Sequence, residues 1–506
     1  MSLPQIGSRR IARNSMINFV GQFIPLVVGV ASIPVVIRGM GVDSFGILSL
    51  AWMLLGYFTL FDLGIGRATT KFIAEELRNG VTERLRSLFW TSCAMNLLLG
   101  LIGGVVVATL TSFFAQSVFR IPPALIETAE QTFFVLALSL PIVLVSTALR
   151  GTLEAAHRFD YVNIVVVVSS SLNYLLPLVG TLIGFNVRDI VLLLMVSRLA
   201  AASVYLVLCL RVFPMFREGV SFEPEITKRL MSFGGWLSIS NVVHPFLVYL
   251  DRFMIGSTIS IAAVAYYTAP YEMVCRLLIL PTSLTMTLFP SFSSIGAASK
   301  EDLTNLYVRS VKLLLLLMAP LVMLAILFAG EILHLWLGVE FAEKSTAVFQ
   351  ILAIGVLVNS PANVPYALLQ GFGRPDLTAK LHVLELLLYV PLVWLLVKNM
   401  GIVGGALAWT IRIMLDTLLL FAASGRFMNL RFLFDHGLKR GINVVLLLVC
   451  ALCVPLLLHV TILVKAVIAA AILIVFSLAS WRFVLDDAER EFITFAARRL
   501  ESITRE

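Results

Sequence analysis

The chain has 506 residues, of which 59% are hydrophobic and only 13% charged, and its mean hydropathy is +0.97. That balance excludes a soluble globular protein and points to a polytopic membrane protein. The formal net charge of +8 concerns topology and anionic headgroups rather than nucleic acid, because no basic, aromatic-interleaved segment is long enough to fold as a nucleic-acid module.

A helix needs about 20 mainly apolar residues to cross a hydrocarbon layer roughly 30 Å thick. Fourteen stretches qualify, the first seven near Ser15 to Ile37, Ser44 to Ile65, Leu88 to Phe114, Gln131 to Leu149, Tyr161 to Phe185, Ile190 to Leu210 and Leu230 to Ile255. The other seven lie near Ile261 to Leu288, Val311 to Leu335, Thr346 to Leu369, Leu381 to Val397, Ile402 to Ala423, Ile442 to His459 and Leu463 to Val484. The first follows a basic start but runs past twenty residues without a small-residue cleavage site, which reads as a retained anchor. Cys93, Cys209, Cys275, Cys450 and Cys453 all fall within these stretches as small apolar fillers. The CxxC spacing of Cys450 and Cys453 has no second pair or histidine cluster to complete a metal site.

Lys and Arg alternate sharply between successive loops. Arg67, Lys71, Arg78, Arg84 and Arg86, then Arg150 and Arg158, then Arg211, Arg217, Lys228 and Arg229 belong to one set, whereas the opposite loops hold little beyond Arg38, Arg120, Arg188, Lys344, Lys398 and Lys465. The richer side is cytoplasmic, which places both termini there and favours an even number of spans.

The chain also repeats itself. Arg158 and Asp160 recur as Arg374 and Asp376, 216 residues later, and Pro177 and Arg198 recur as Pro391 and Arg412, 214 residues later. Each repeat holds six helices, so the halves enter the membrane in the same direction, as parallel lobes. The expected organisation is a first lobe over residues 1–212, a cytoplasmic linker over 213–229, a second lobe over 230–424, a linker with accessory helices 13 and 14 over 425–485, and an amphipathic cytoplasmic tail over 486–506. Gly100 with Gly104, Gly180 with Gly184, and Gly401 with Gly405 have the spacing that lets helices approach closely.

Charges within the apolar stretches mark candidate function, since each costs about 2.5–3.5 kcal/mol to insert. Arg276 lies four residues after Glu272, and Asp416 four after Arg412; such pairs either neutralise each other for insertion or serve a ligand. Arg198 has no acid one turn away and needs a partner elsewhere, either Glu385, Asp416 or an anionic substrate. Guanidinium groups suit phosphate oxygens, so Arg198, Arg276 and Arg412 are the candidate anion contacts. Asp251, Arg252, Glu272, Glu385 and Asp416 are supporting charges, and Asp62 sits at the inner end of the second stretch. Pro25 and Pro245 fall mid-span in the leading helix of each half as candidate hinges. His244, beside Pro245, is either structural or a titrating group.

The segments FDLGIGRATTKFIAEEL from Phe61, GVDSFGILSLAW from Gly41, YLDRFMIG from Tyr249 and YYTAPYEMVCRLLILPTSLTMTLFPSFS from Tyr266 resemble polysaccharide flippases of the multidrug/oligosaccharidyl-lipid/polysaccharide exporter superfamily. The resemblance covers essentially the whole chain. It implies two six-helix lobes around a central cavity with an accessory helix pair, and transport of a polyprenyl-pyrophosphate-linked oligosaccharide from the inner to the outer leaflet of a bacterial inner membrane. Implied partners are that lipid-linked oligosaccharide, membrane lipids, and polysaccharide polymerase and assembly proteins; no cofactor is implied. Family cavities are often described as strongly cationic, whereas Asp251, Glu272, Glu385 and Asp416 match the four intramembrane arginines in number. No GxxxxGK[ST] loop is present, so energy must come from an ion gradient, the membrane potential or consumption of the product. A cation-coupled drug or small-solute exporter is the alternative within the superfamily. A membrane polymerase or ligase would need a larger outer loop than those around Phe114 to Ala129 and Leu335 to Ser345.

Overall fold

The computed structural model describes residues 8–79, 82–284, 288, 292, 300–427, 438–457, 461–487, 489–491 and 494. Among these the chain is all-helical, without a strand. Nine helical stretches among the described residues are long and apolar enough to cross a membrane. The side chains of His244 and Cys453, the end of the Tyr266 motif and most of the tail after Asp486 lie outside the described residues.

Two compact units partition the chain, one of residues 1–273 with 382–408 and the other of residues 274–381 with 409–506. The first contains α1 (Ser8–Met40), α2 (Val42–Tyr57), α3 (Ile65–Asn79), α4 (Thr82–Phe113), α5 (Ile126–Ala155), α6 (Phe159–Ile183), α7 (Val187–Val212), α8 (Pro224–Thr258) and most of α9 (Ile261–Cys275). Pro25 is buried inside α1 and Pro245 inside α8, each within an uninterrupted run of helix. α4 and α5 pack most intimately, and the reason is Gly100 and Gly104. A Cβ on Gly100 would stand 2.4 Å from the Pro141 Cα, and one on Gly104 2.9 Å from the Ala137 carbonyl oxygen, so the expected small-residue spacing permits close helix approach here.

The second expected span, Ser44 to Ile65, is met by a helical stretch over Val42–Asp62. Its α-helix stops at Tyr57, tightens into a 3-10 turn over Phe58–Asp62, and breaks at Leu63 and Gly64, which take φ 46° and 74°. A new helix, α3, follows where a basic loop was expected. The Asp62 carboxylate accepts the Gly66 backbone N–H at 3.1 Å and the Thr147 hydroxyl at 3.0 Å, so the acid at the end of one span caps the next helix and pins it to α5.

The second unit contains α10 (Lys300–Leu327), α11 (Ala329–Leu337), α12 (Val339–Gly371), α14 (Leu438–Leu457) and α15 (Ile462–Ala479). The stretch expected as one span over Val311 to Leu335 is two helices, broken at Phe328. α13 (Pro375–Ser424) joins the two expected spans of this region through one non-helical residue, Gly401, at φ 62°, a conformation that only glycine adopts readily.

The internal repeat is visible in backbone geometry. After α5, Arg158 N–H bonds Leu153 O at 2.9 Å, His157 takes φ 55°, and the Arg158 Nε and Nη2 donate to Asp160 at 3.1 and 3.0 Å. After α12, Arg374 N–H bonds Leu369 O at 3.0 Å, Gly373 takes φ 68°, and Arg374 donates to Asp376 at 3.0 and 3.3 Å. Leu153, His157, Arg158 and Asp160 correspond to Leu369, Gly373, Arg374 and Asp376, each 216 residues on. In both, the carboxylate's hydrogen bonds push the guanidinium pKa up.

Candidate functional site

The first unit buries an arginine among acids and aromatic rings. α8 carries Asp251 and Arg252 side by side, with Arg252 only 3% exposed and Asp251 fully buried. A charge so placed must be matched locally, because an isolated ion in a low-dielectric interior is prohibitively costly. Arg252 Nη2 donates to Glu272 Oε1 of α9 at 3.4 Å. Asp251 Oδ1 accepts the Arg252 backbone N–H at 2.7 Å, and the Tyr267 hydroxyl donates to Asp251 Oδ2. Tyr174 of α6 donates to Glu272 Oε2 at 3.4 Å. Three helices thus converge on two carboxylates and one guanidinium.

Aromatic walls complete the arrangement. The Arg252 guanidinium carbon stands 4.3 Å from the Tyr271 ring centroid and 5.5 Å from that of Tyr249, geometry that favours a cation through the ring quadrupole. Tyr249 in turn meets Tyr57 at 5.7 Å, Tyr57 meets Phe246 at 5.3 Å, and Trp52 meets Tyr174 at 5.6 Å. α2 admits these rings because its Gly56 leaves room: a Cβ there would lie 2.1 Å from the Tyr249 ring.

Two features leave the guanidinium incompletely paired. Its Nε is buried and finds no acceptor among the described residues, and buried donors are rarely left so. Its contact with Glu272, at 3.4 Å, is long for a charge-assisted bond, which normally falls near 2.7–2.9 Å. The acceptors that suit an incompletely paired guanidinium are phosphate and carboxylate oxygens.

The other expected site residues distribute as follows. Arg198 lies half-buried on α7, and its Nη2 donates to Asn173 Oδ1 of α6 at 3.3 Å. Glu385 is fully buried on the part of α13 that belongs to the first unit. Arg276 opens a 3-10 turn after α9, and Arg412 and Asp416 are buried one turn apart on α13; all three belong to the second unit. The sequence ranked Arg252 as a supporting charge and gave no role to the tyrosines around it. The signal was present in YYTAPYEM, where Tyr267 and Tyr271 sit one turn apart beside Glu272.

Comparison with known proteins now decides the family. The family model "Polysaccharide biosynthesis protein" matches residues 11–296, more than half of the chain, and the MatE model matches residues 237–395. The chain belongs to the polysaccharide biosynthesis protein family. It is thereby a member of the multidrug/oligosaccharidyl-lipid/polysaccharide exporter superfamily, as the Phe61, Gly41, Tyr249 and Tyr266 motifs implied. It is 30% identical over 413 residues to a putative O-antigen transporter of Shigella flexneri, covering 81% of this chain and 96% of that one. It is also 22% identical over 420 residues to the probable flippase AglR of Haloferax volcanii, covering 81% and 82%. Among solved structures, the lipid II flippase MurJ in an inward closed conformation aligns with TM-score 0.69 at 12% identity, over 93% of this chain and 99% of that one. An inward-facing multidrug transporter of the MATE family aligns with TM-score 0.68 at 17% identity, over 82% and 98%. These likenesses establish the fold of a multi-pass membrane transporter, and the family is one of transporters rather than enzymes.

Proposed function

We propose that this protein flips a polyprenyl-pyrophosphate-linked oligosaccharide from the inner to the outer leaflet of the bacterial inner membrane, for cell-surface polysaccharide assembly. It would do so by alternating access, with fourteen crossings arranged as two six-helix lobes and an accessory pair, both termini cytoplasmic, and bends at Pro25 and Pro245. The observation that carries this reading is Arg252, a buried guanidinium with an unfilled donor, loosely held by Glu272 and walled by tyrosines, in a chain resembling an O-antigen transporter. Guanidinium forks match phosphate oxygens, and the Tyr57, Tyr249 and Trp52 rings offer apolar faces with polar edges to a sugar. Arg198, Arg276 and Arg412 are the further cations assigned to the diphosphate. Polymerase and assembly proteins would act downstream on the delivered unit.

The test is deletion of the gene in its host, with extraction of lipid-linked oligosaccharides and assay of the leaflet that holds them. Complete units accumulating on the cytoplasmic face, with surface polymer lost and restored by wild-type protein but not by Arg252→Gln, is the expected result. Arg198→Ala and Arg412→Ala should lower export at normal protein levels; normal export by both would remove them from the anion role. Multidrug or small-solute export is the second reading, favoured by the MatE match over residues 237–395. Drug efflux by the reconstituted protein, with lipid-linked units distributed normally in the deletion strain, would put it first.

A further inference from the structure

We propose that the outward face of α3 is a docking surface for the anionic phospholipid headgroups of the inner leaflet, with Arg67, Lys71 and Arg78 as its phosphate contacts. α3 is amphipathic in an unusual way. Its inner face, with Ala68, Phe72 and Ile73, is buried in a hydrophobic cluster with α4, α5, α7 and α8. Its outer stripe holds Arg67, Lys71, Ala74 and Arg78, all exposed, at successive steps of four, three and four residues, the spacing of one helical face.

The helix also carries two acids, and these are drawn away from the stripe. Arg229 of α8 donates to Glu75 at 2.7 Å and to Glu76 at 3.1 Å, with its guanidinium 4.1 Å from the Phe72 ring centroid. Arg84 of α4 stands 4.0 Å from the same Glu76. The exposed Lys71 stands 3.8 Å from Glu75 and 5.5 Å from the Phe72 ring centroid. The acids of α3 are therefore neutralised by other helices, and the outer stripe is left cationic. Its place along the chain favours a membrane partner over a soluble acidic protein. α3 begins at Ile65, directly after the apolar stretch Val42–Asp62 ends, so the stripe starts at the polar boundary of the bilayer, where basic side chains meet anionic headgroups.

The experiment uses full-length protein in neutral detergent, stripped of lipid and titrated with phosphatidylglycerol, phosphatidylcholine or inorganic pyrophosphate. Retained lipid is read by native mass spectrometry and unfolding by a thermal shift. The triple variant R67Q/K71Q/R78Q should need on the order of a hundredfold more phosphatidylglycerol for half-saturation, with Lys344→Gln unchanged and phosphatidylcholine inert throughout. The charge-conserving variant R67K/K71R/R78K should bind as wild type does. Superimposable titrations of wild type and triple variant would overturn the proposal, as would loss of binding in the charge-conserving variant. Equal competition by inorganic pyrophosphate would assign the stripe to small anions instead, and a co-purifying acidic protein lost in the triple variant, with lipid binding unchanged, would assign it to that protein.

Discussion

Each unit buries a cation against a carboxylate, yet the two pairs are built to opposite ends. In the second unit, Lys312 of α10 donates to Glu489 Oε2 at 2.6 Å and to the Val484 carbonyl at 3.3 Å, with Asp486 at 3.9 Å. Glu489 and Asp486 exchange backbone and side-chain hydrogen bonds at 3.0 and 2.8 Å, in the manner of a capping box. The ammonium thus has two hydrogen-bonded oxygens and a third nearby, while Glu489 Oε1, with Arg309 Nε at 3.6 Å, makes no hydrogen bond among the described residues. In the first unit, Arg252 keeps a long contact with Glu272 and an unfilled Nε. The difference lies in the cation: Lys312 is held by a short bond that fastens the segment after α15 to α10, whereas Arg252 is held by a long one and is the group proposed above to meet the anionic ligand.

Removing one member of the Lys312–Glu489 pair leaves a buried charge uncompensated, at a cost of about 3–5 kcal/mol. Lys312→Met should therefore produce the largest fall in unfolding temperature, and K312L/E489L should recover most of it; an unshifted single variant would erase the contrast between the pairs. Arg252→Gln should be milder on stability, because its partner Glu272 is 22% exposed and the Glu489 left by Lys312→Met only 1%, and harsher on function, with export down roughly ten- to a hundredfold. Equal losses of stability in Arg252→Gln and Lys312→Met would mean that both pairs are staples.

The repeated turns sharpen the comparison at lower cost. One copy places His157 in the left-handed region and the other Gly373. Relief of about 1–2 kcal/mol of steric strain, offset by about 0.5–1 kcal/mol of added chain entropy, predicts that His157→Gly stabilises by about 0.5 kcal/mol. Gly373→His should destabilise by a similar amount, and thermal unfolding of both variants would check the opposite signs. Arg84→Ala comes last, within about 0.5 kcal/mol, because Glu76 keeps Arg229 at 3.1 Å.

What could be read from the sequence is what spacing along one helix encodes. Apolar length gave the all-helical membrane class, the break between Val397 and Ile402 anticipated Gly401, and Arg158 with Asp160 anticipated the turn that recurs at Arg374. Partnerships across helices were not legible. Arg252 with Glu272, Lys312 with Glu489, and Arg229 with Glu75 are separated by 20, 177 and 154 residues, and only tertiary packing chooses them. α3 was missed for a related reason: its polar face disguises it as a loop until Phe72 and Ile73 are seen buried.

The distance along the chain between Glu76 and Arg229 has a meaning for biogenesis. At a synthesis rate of about 5–20 residues per second, the 153 residues between them occupy on the order of ten to thirty seconds. Throughout that interval the acids of α3 lack the arginine that will clamp them, while the cations beside them already bias the retention of the loop. On the cytoplasmic orientation proposed above, the first two spans insert while the finished charge balance of this segment does not yet exist, and the clamp forms afterwards.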